Sequence, residues 1–236
     1  PSADVSLVAV DRIDLEATGG DIVHEGALLT ADTLKITGGG NVTVNTSIAT
    51  LTAALSGTGN LALTNDRSLT DSSATNADGA ISLAVYGDLV ATDLQTTGSQ
   101  DDDDIVLTLY ASETVTAPAL TLTNVAAAGL GDVTVAEPST VTQVGTNPIT
   151  ADHLDVTTHG SLTLATQVNS LTVLATGDVD IEQSGNGTLT VREITVAEGA
   201  LEIDHPAGNI VLQSVQLLTA KEEHHLIVTA GGNILL

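Results

Sequence analysis

A short phrase recurs along the whole chain: a glycine-rich turn, one small polar residue, then aliphatic-x-aliphatic. It reads Gly39-Gly40-Asn41-Val42-Thr43-Val44 in one place and Gly160-Ser161-Leu162-Thr163-Leu164 in another. It returns at Gly19-Gly20-Asp21-Ile22, Gly59-Asn60-Leu61, Gly79-Ala80-Ile81, Gly131-Asp132-Val133, Gly177-Asp178-Val179, Gly208-Asn209-Ile210 and Gly232-Asn233-Ile234. A period of this kind means that the chain is a stack of similar units, because one such unit cannot bury its apolar face alone.

The first aliphatic residue of each phrase serves as an anchor. Ile22, Val42, Leu61 and Ile81 stand 20, 19 and 20 residues apart, the length of one coil of a parallel β-solenoid. The steps then lengthen to 24, 28 and 29 through Ile105, Val133 and Leu162, and shorten to 17 at Val179. The spacing predicts loops inserted between the strands of those coils. Secondary runs without the glycine, such as Leu34-Lys35-Ile36, Leu120-Thr121-Leu122 and Ile194-Thr195-Val196, predict two or three short strands in each coil. Aliphatic and polar residues alternate within every run, the mark of a strand with one buried face. No stretch has the period of a helix. Three irregular stretches, Asn65 to Asp78, Gln95 to Asp104 and Glu137 to Thr150, are expected to project from the stack as loops.

Composition narrows the architecture. Residues of the hydrophobic class make up 42% of the chain, yet it has no Phe, Trp, Met or Cys and only Tyr86 and Tyr110 as aromatics. The core is therefore expected to be thin and aliphatic, which disfavours an immunoglobulin-type sandwich with its buried Trp or tyrosine corner. The predicted core includes Val42, Leu61, Ile81, Val179, Leu189 and Ile210. Residues 1–236 read as a single continuous β-solenoid. Strand-forming sequence starts at Val5 and the chain ends inside a repeat phrase, so it is expected to be a segment of a longer chain or fibre.

Thirty acidic residues against five basic ones give a net charge of −25. Phosphate backbones and anionic lipid surfaces are repelled by such a chain, so nucleic-acid partners are excluded, and no apolar run is long enough for membrane insertion. Two carboxylate groupings are candidate calcium sites. One is the run Asp101-Asp102-Asp103-Asp104; the other is the alternating set Asp178, Asp180 and Glu182, joined about one coil later by Glu202 and Asp204. Stacked carboxylates repel unless a hard cation bridges them or water screens them, and both outcomes stay open on the sequence. The six histidines are too scattered for a transition-metal motif, and no other cofactor is implied. Asn41, Asn45 and Asn186 open Asn-x-Ser/Thr sequons.

Some β-helices cleave acidic polysaccharides. Such a site is expected to join a carboxylate cluster to Lys or Arg and to aromatic platforms, whereas Arg12, Lys35, Arg67, Arg192 and Lys221 are spread along the chain. The sequence reading is therefore a non-enzymatic protein, with a carbohydrate-binding or polysaccharide-cleaving β-helix as the alternative. A groove between loops holding a carboxylate beside Arg and Tyr would separate the two.

The phrases Ala17-Thr18-Gly19-Gly20-Asp21-Ile22, Gly40-Asn41-Val42-Thr43-Val44 and Ala175-Thr176-Gly177-Asp178-Val179 resemble the repeats of filamentous-haemagglutinin-like adhesins and related giant bacterial surface proteins. That resemblance implies a right-handed parallel β-helix, an extracellular or cell-surface location, and a role as filament, stalk or adhesin. Self-association end to end into a filament is expected from the strand-forming sequence at both ends, and surface glycans or host ligands are the other expected partners. It brings no functional residues with it, and the long steps between Ile81 and Leu162 depart from the family's more regular coils.

Overall fold

A computed structural model describes residues 6–219 and 224–236; Val5, at the head of the first strand-like run, and Lys221 lie outside them. Among the described residues all the regular structure is strand: 24 strands joined in one sheet, every pairing parallel, wound into a β-solenoid of about 11 turns with coils about 21 residues apart. At about 4.8 Å per coil the stack is roughly 50 Å long.

Three columns of paired residues define the sides of the solenoid. One runs Ile22, Val42, Leu61, Ile81, Ile105, Val133, Leu154 and Leu171. A second runs Leu69, Leu89, Leu120, Val141, Leu162, Val179, Leu201 and Leu226. A third begins Ile13, Leu34, Leu51 and Ser72. Within each strand the burial alternates, as in Ile81–Tyr86, where Ile81, Leu83 and Val85 are inside and Ser82, Ala84 and Tyr86 are outside. Val42, Leu61, Ile81, Val179, Leu189 and Ile210 all lie in the buried core, whose apolar part among the described residues consists of Ala, Val, Leu and Ile.

The columns correct the sequence reading in three places. Leu162 does not stack on Val133: Val133 pairs with Leu154, and Leu162 belongs to the second column beside Val141 and Val179. The glycine phrase changes sides at this point, and that change produced the apparent step of 29 residues. Asn65 to Asp78 is no projecting loop but a corner followed by the strand Leu69–Asn76. Its polar composition misled because Ser72 and Asn76 are buried and hydrogen-bonded, Ser72 Oγ donating to the Val90 carbonyl at 2.8 Å and Asn76 Nδ2 to that of Gly59 at 2.9 Å. Within Glu137 to Thr150, Thr140–Gln143 and the start of Ile149–Thr158 are strands, leaving Val144 to Pro148 as the loop. The loop after Thr96 is present as expected.

The small polar residue of each phrase has a definite task. At the corner preceding the first column, Asp21 Oδ1 accepts the Asn41 amide at 2.8 Å, Asn41 Oδ1 accepts that of Asn60 at 3.1 Å, and Asn60 Oδ1 accepts that of Ala80 at 2.8 Å. Asp104 and Asp132 continue the series, accepting the amides of Asp132 and His153. The corner of the second column repeats the device: Ser68 to Asp88, Asp88 to Ala119, Ser161 to Asp178 and Asp178 to Ala200. Each side chain thus satisfies a backbone N–H of the next coil that the turn would otherwise leave without a partner. Glycine precedes most of these residues, and at several of them neighbouring coils touch: a Cβ on Gly59 would lie 2.1 Å from the carbonyl carbon of Gly40.

Polar side chains also plug the interior where the chain turns. Asn65 is buried and fully bonded: its Oδ1 accepts Thr46 Oγ1 and the Ile48 amide, each at 2.9 Å, while Nδ2 donates to the Ile48 and Arg67 carbonyls at 2.9 and 2.6 Å. Gln183 plays the same part later in the chain, accepting Thr166 Oγ1 at 2.7 Å and donating to the Val168 carbonyl at 2.8 Å.

Candidate functional site

The four aspartates of the acidic run are separated by the fold into different roles. Asp101 is exposed, and Asp104 accepts the Asp132 amide at 2.8 Å in the corner series. Asp103 is fully buried, its Oδ1 accepting the Gly79 amide at 2.8 Å and its Oδ2 that of Gln100 at 2.9 Å. Asp102 and Asp103 come together with Asp78 of the preceding coil, their carboxylate oxygens lying within 4.8 Å of one another. Among the described residues this is the single grouping of three or more such ligands, and the sequence reading missed Asp78. Three carboxylates can supply hard oxygen ligands to Ca²⁺, although two oxygens of Asp103 already serve as turn acceptors.

Asp178, Asp180, Glu182, Glu202 and Asp204 occupy one outer face, as their alternation predicts. Asp180 lies beside Glu202 and Glu182 beside Asp204 in register on adjacent strands, while Asp178 faces the corner and accepts the Ala200 amide. The five do not converge on a shared point in the manner of Asp78, Asp102 and Asp103. A depression of about 570 Å³ beside them is lined by Asp178, Asp180, Glu198 and Glu202 together with His224 and His225. Like charges in register on neighbouring strands oppose one another; solvent screens the exposed Asp180 and Glu202, whereas Asp204 is half-buried, its Oδ1 shielded from water and without a hydrogen-bond partner among the described residues.

Burial pushes Asp132 up from the ordinary carboxylate range; the His153 amide that it accepts at 2.9 Å and the His153 ring act in the opposite sense, and Asp104 and Asp152 add to the rise.

A different constellation surrounds the two tyrosines. Tyr86 and Tyr110 close the phrases Ile-Ser-Leu-Ala-Val-Tyr and Ile-Val-Leu-Thr-Leu-Tyr, are in register on adjacent coils, and stack with ring centroids 4.9 Å apart and planes at 26°. The Ala111 to Pro118 insertion arches beside them, tied internally by the Ser112 amide to the Val115 carbonyl at 2.8 Å and the Val115 amide to Ser112 Oγ at 3.0 Å. On the Tyr110 side lies a depression of about 630 Å³ that also touches Pro118, Glu137, Ser139 and His159. Glu137 has a left-handed backbone at φ 69°, an uncommon conformation outside glycine, and its Oε2 meets His159 Nε2 at 2.9 Å. On the Tyr86 side a second depression of about 570 Å³ is lined by Asp66, Ala111, Ser112, Glu113 and Thr114. Both depressions are lined by a carboxylate and a Tyr but by no Arg or Lys, so neither is the groove with a carboxylate beside Arg and Tyr that was to mark the carbohydrate alternative. The matched endings of the two phrases are the sequence signal for this stack.

Comparison of the chain with protein-family models, with curated proteins and with solved structures finds no match. The fold itself therefore defines the class: a parallel β-solenoid built of repeated coils.

Proposed function

We propose that the chain is a non-catalytic structural element, a stiff solenoid that stacks end to end as part of an extracellular filament, stalk or surface layer. One observation carries this reading: the parallel ladders run from the first described coil to the last over one aliphatic core, so that each coil is built to pack against another coil. Leu226 and Ile234, in register with the buried Leu201 and Ile210 of the coil before, are each more than 40% exposed. An uncovered strand edge with apolar side chains is a template for another strand. Further solenoid is the matching partner in spacing and twist, and a head-to-tail contact of this kind does not close on itself. The extracellular setting is supported by the resemblance of the glycine phrases to adhesin repeats, and a role in adhesion is the finer part of the proposal.

Sedimentation and electron microscopy of the protein across a concentration range test it. Rods should lengthen in steps of roughly 50 Å, and Leu226→Lys with Ile234→Lys should hold them at single length. Single rods at every concentration for the unaltered protein would overturn the stacking.

A further inference from the structure

We infer that the Tyr86 flank of the tyrosine stack is a binding site for an amino sugar bearing a free amine, carried on the side of the rod and independent of end-to-end stacking. The two rings cover one face of each other, and each ring also borders a depression. The Tyr86 depression is furnished with that ring, with Ser112 and Thr114, and with the exposed carboxylates of Asp66 and Glu113. Neither carboxylate has a side-chain hydrogen bond or ion pair among the described residues. The nearest cation in sequence, Arg67, is directed elsewhere, Nη2 donating to the Ala31 carbonyl at 2.9 Å.

An aromatic face bordered by two unneutralised carboxylates attracts an ammonium group through the ring quadrupole and through charge. The net charge of −25 strengthens that preference and rejects uronic or sulfated sugars. Size and hydroxyls favour a sugar over a lone ammonium ion. A depression of about 570 Å³ has room for a sugar ring, whose C–H face packs on Tyr86 while its hydroxyls reach Ser112 and Thr114 and its ammonium lies between Asp66 and Glu113. The Tyr110 flank is less suited, because its carboxylate, Glu137, is already occupied by His159.

The chain provides its own probe. With two tyrosines and no tryptophan, its intrinsic fluorescence arises entirely at this stack. Titration at low ionic strength with a glucosamine tetramer should give a saturable change in tyrosine emission. The N-acetylated tetramer should bind about tenfold more weakly, as should the Asp66→Asn and Glu113→Gln variants together. Both substitutions are at exposed positions, and circular dichroism melting confirms that the fold is kept. Equal affinity for the N-acetylated tetramer, or unchanged affinity in the double variant, overturns the inference. Binding of Nα-acetyl-lysine methylamide as tightly as the tetramer overturns the sugar assignment in favour of a protein partner, and the absence of any saturable change overturns the site.

Discussion

Asp132 shows how one residue serves a corner at an electrostatic cost. Its Oδ1 must accept the His153 amide, yet its burial raises the carboxyl above the ordinary value of 3.8. A folded state that holds its proton to higher pH than the unfolded chain loses stability as pH rises through that interval, and below 3.8 the group makes no difference between the two states. Asn41 and Asn60 occupy equivalent corners with a neutral amide oxygen doing the same work. Asp132→Asn should therefore melt higher than the unaltered protein at neutral pH, with the gain vanishing as pH falls below the ordinary carboxylate value. Melting curves across that range check it, and an Asn variant that melts lower at neutral pH would show that the charge is needed there.

At the scale of the strand, the alternation of aliphatic and polar residues decides which side chains are inside. Val179 begins Val179–Gln183, is 1% exposed, and stacks between Leu162 and Leu201. A carboxylate placed there has no partner, so Val179→Asp should cost several kcal/mol in urea unfolding; a loss below about 1 kcal/mol would contradict the inward assignment. This much was legible in the sequence, because period-2 alternation needs only local information. The assignment of strands to sides was not: Leu162 and Val133 carry the same glycine phrase on different sides, and nothing local distinguishes them. Asn65, Ser72 and Gln183 were illegible for a related reason, since a buried polar residue looks like a loop residue until its partners on adjacent coils are known. The candidate sites divide in the same way. Alternation placed Asp180, Glu182, Glu202 and Asp204 on one outer face, but Asp78 joins Asp102 and Asp103 only through the stacking of coils. Calcium at fixed ionic strength should raise the melting temperature through Asp78, Asp102 and Asp103, with Asp102→Asn removing the increment and Asp180→Asn keeping it. A melting temperature equal in calcium and chelator would mean that neither grouping binds the cation, leaving Asp103 as a buried turn acceptor and the Asp180 grouping as a solvated face.

In the whole molecule, each coil touches only its neighbours, so stability is close to a sum of coil and interface terms. Coils in the middle, such as those carrying Ile81, Ile105 and Leu154, are covered on both sides, whereas Ile13 and Leu15 near one end and Val228 and Ala230 near the other are only partly buried. Opening should therefore begin at the ends, where breaking one interface frees a coil, and hydrogen exchange should be fastest in Arg12–Ala17 and Leu226–Ala230 and slowest in Ile81–Tyr86 and Ile105–Tyr110. Concentration supplies the decisive comparison. End-to-end stacking gives the terminal coils the neighbour they lack, so protection in Leu226–Ala230 should rise with protein concentration while that in the central strands stays constant. Repulsion between rods that each carry a net charge of −25 makes the rise steeper at higher salt, where that charge is screened and the apolar end contact remains. Terminal protection that does not change with concentration or salt would mean that the exposed aliphatic ends do not meet one another, and the filament proposal would fall with it.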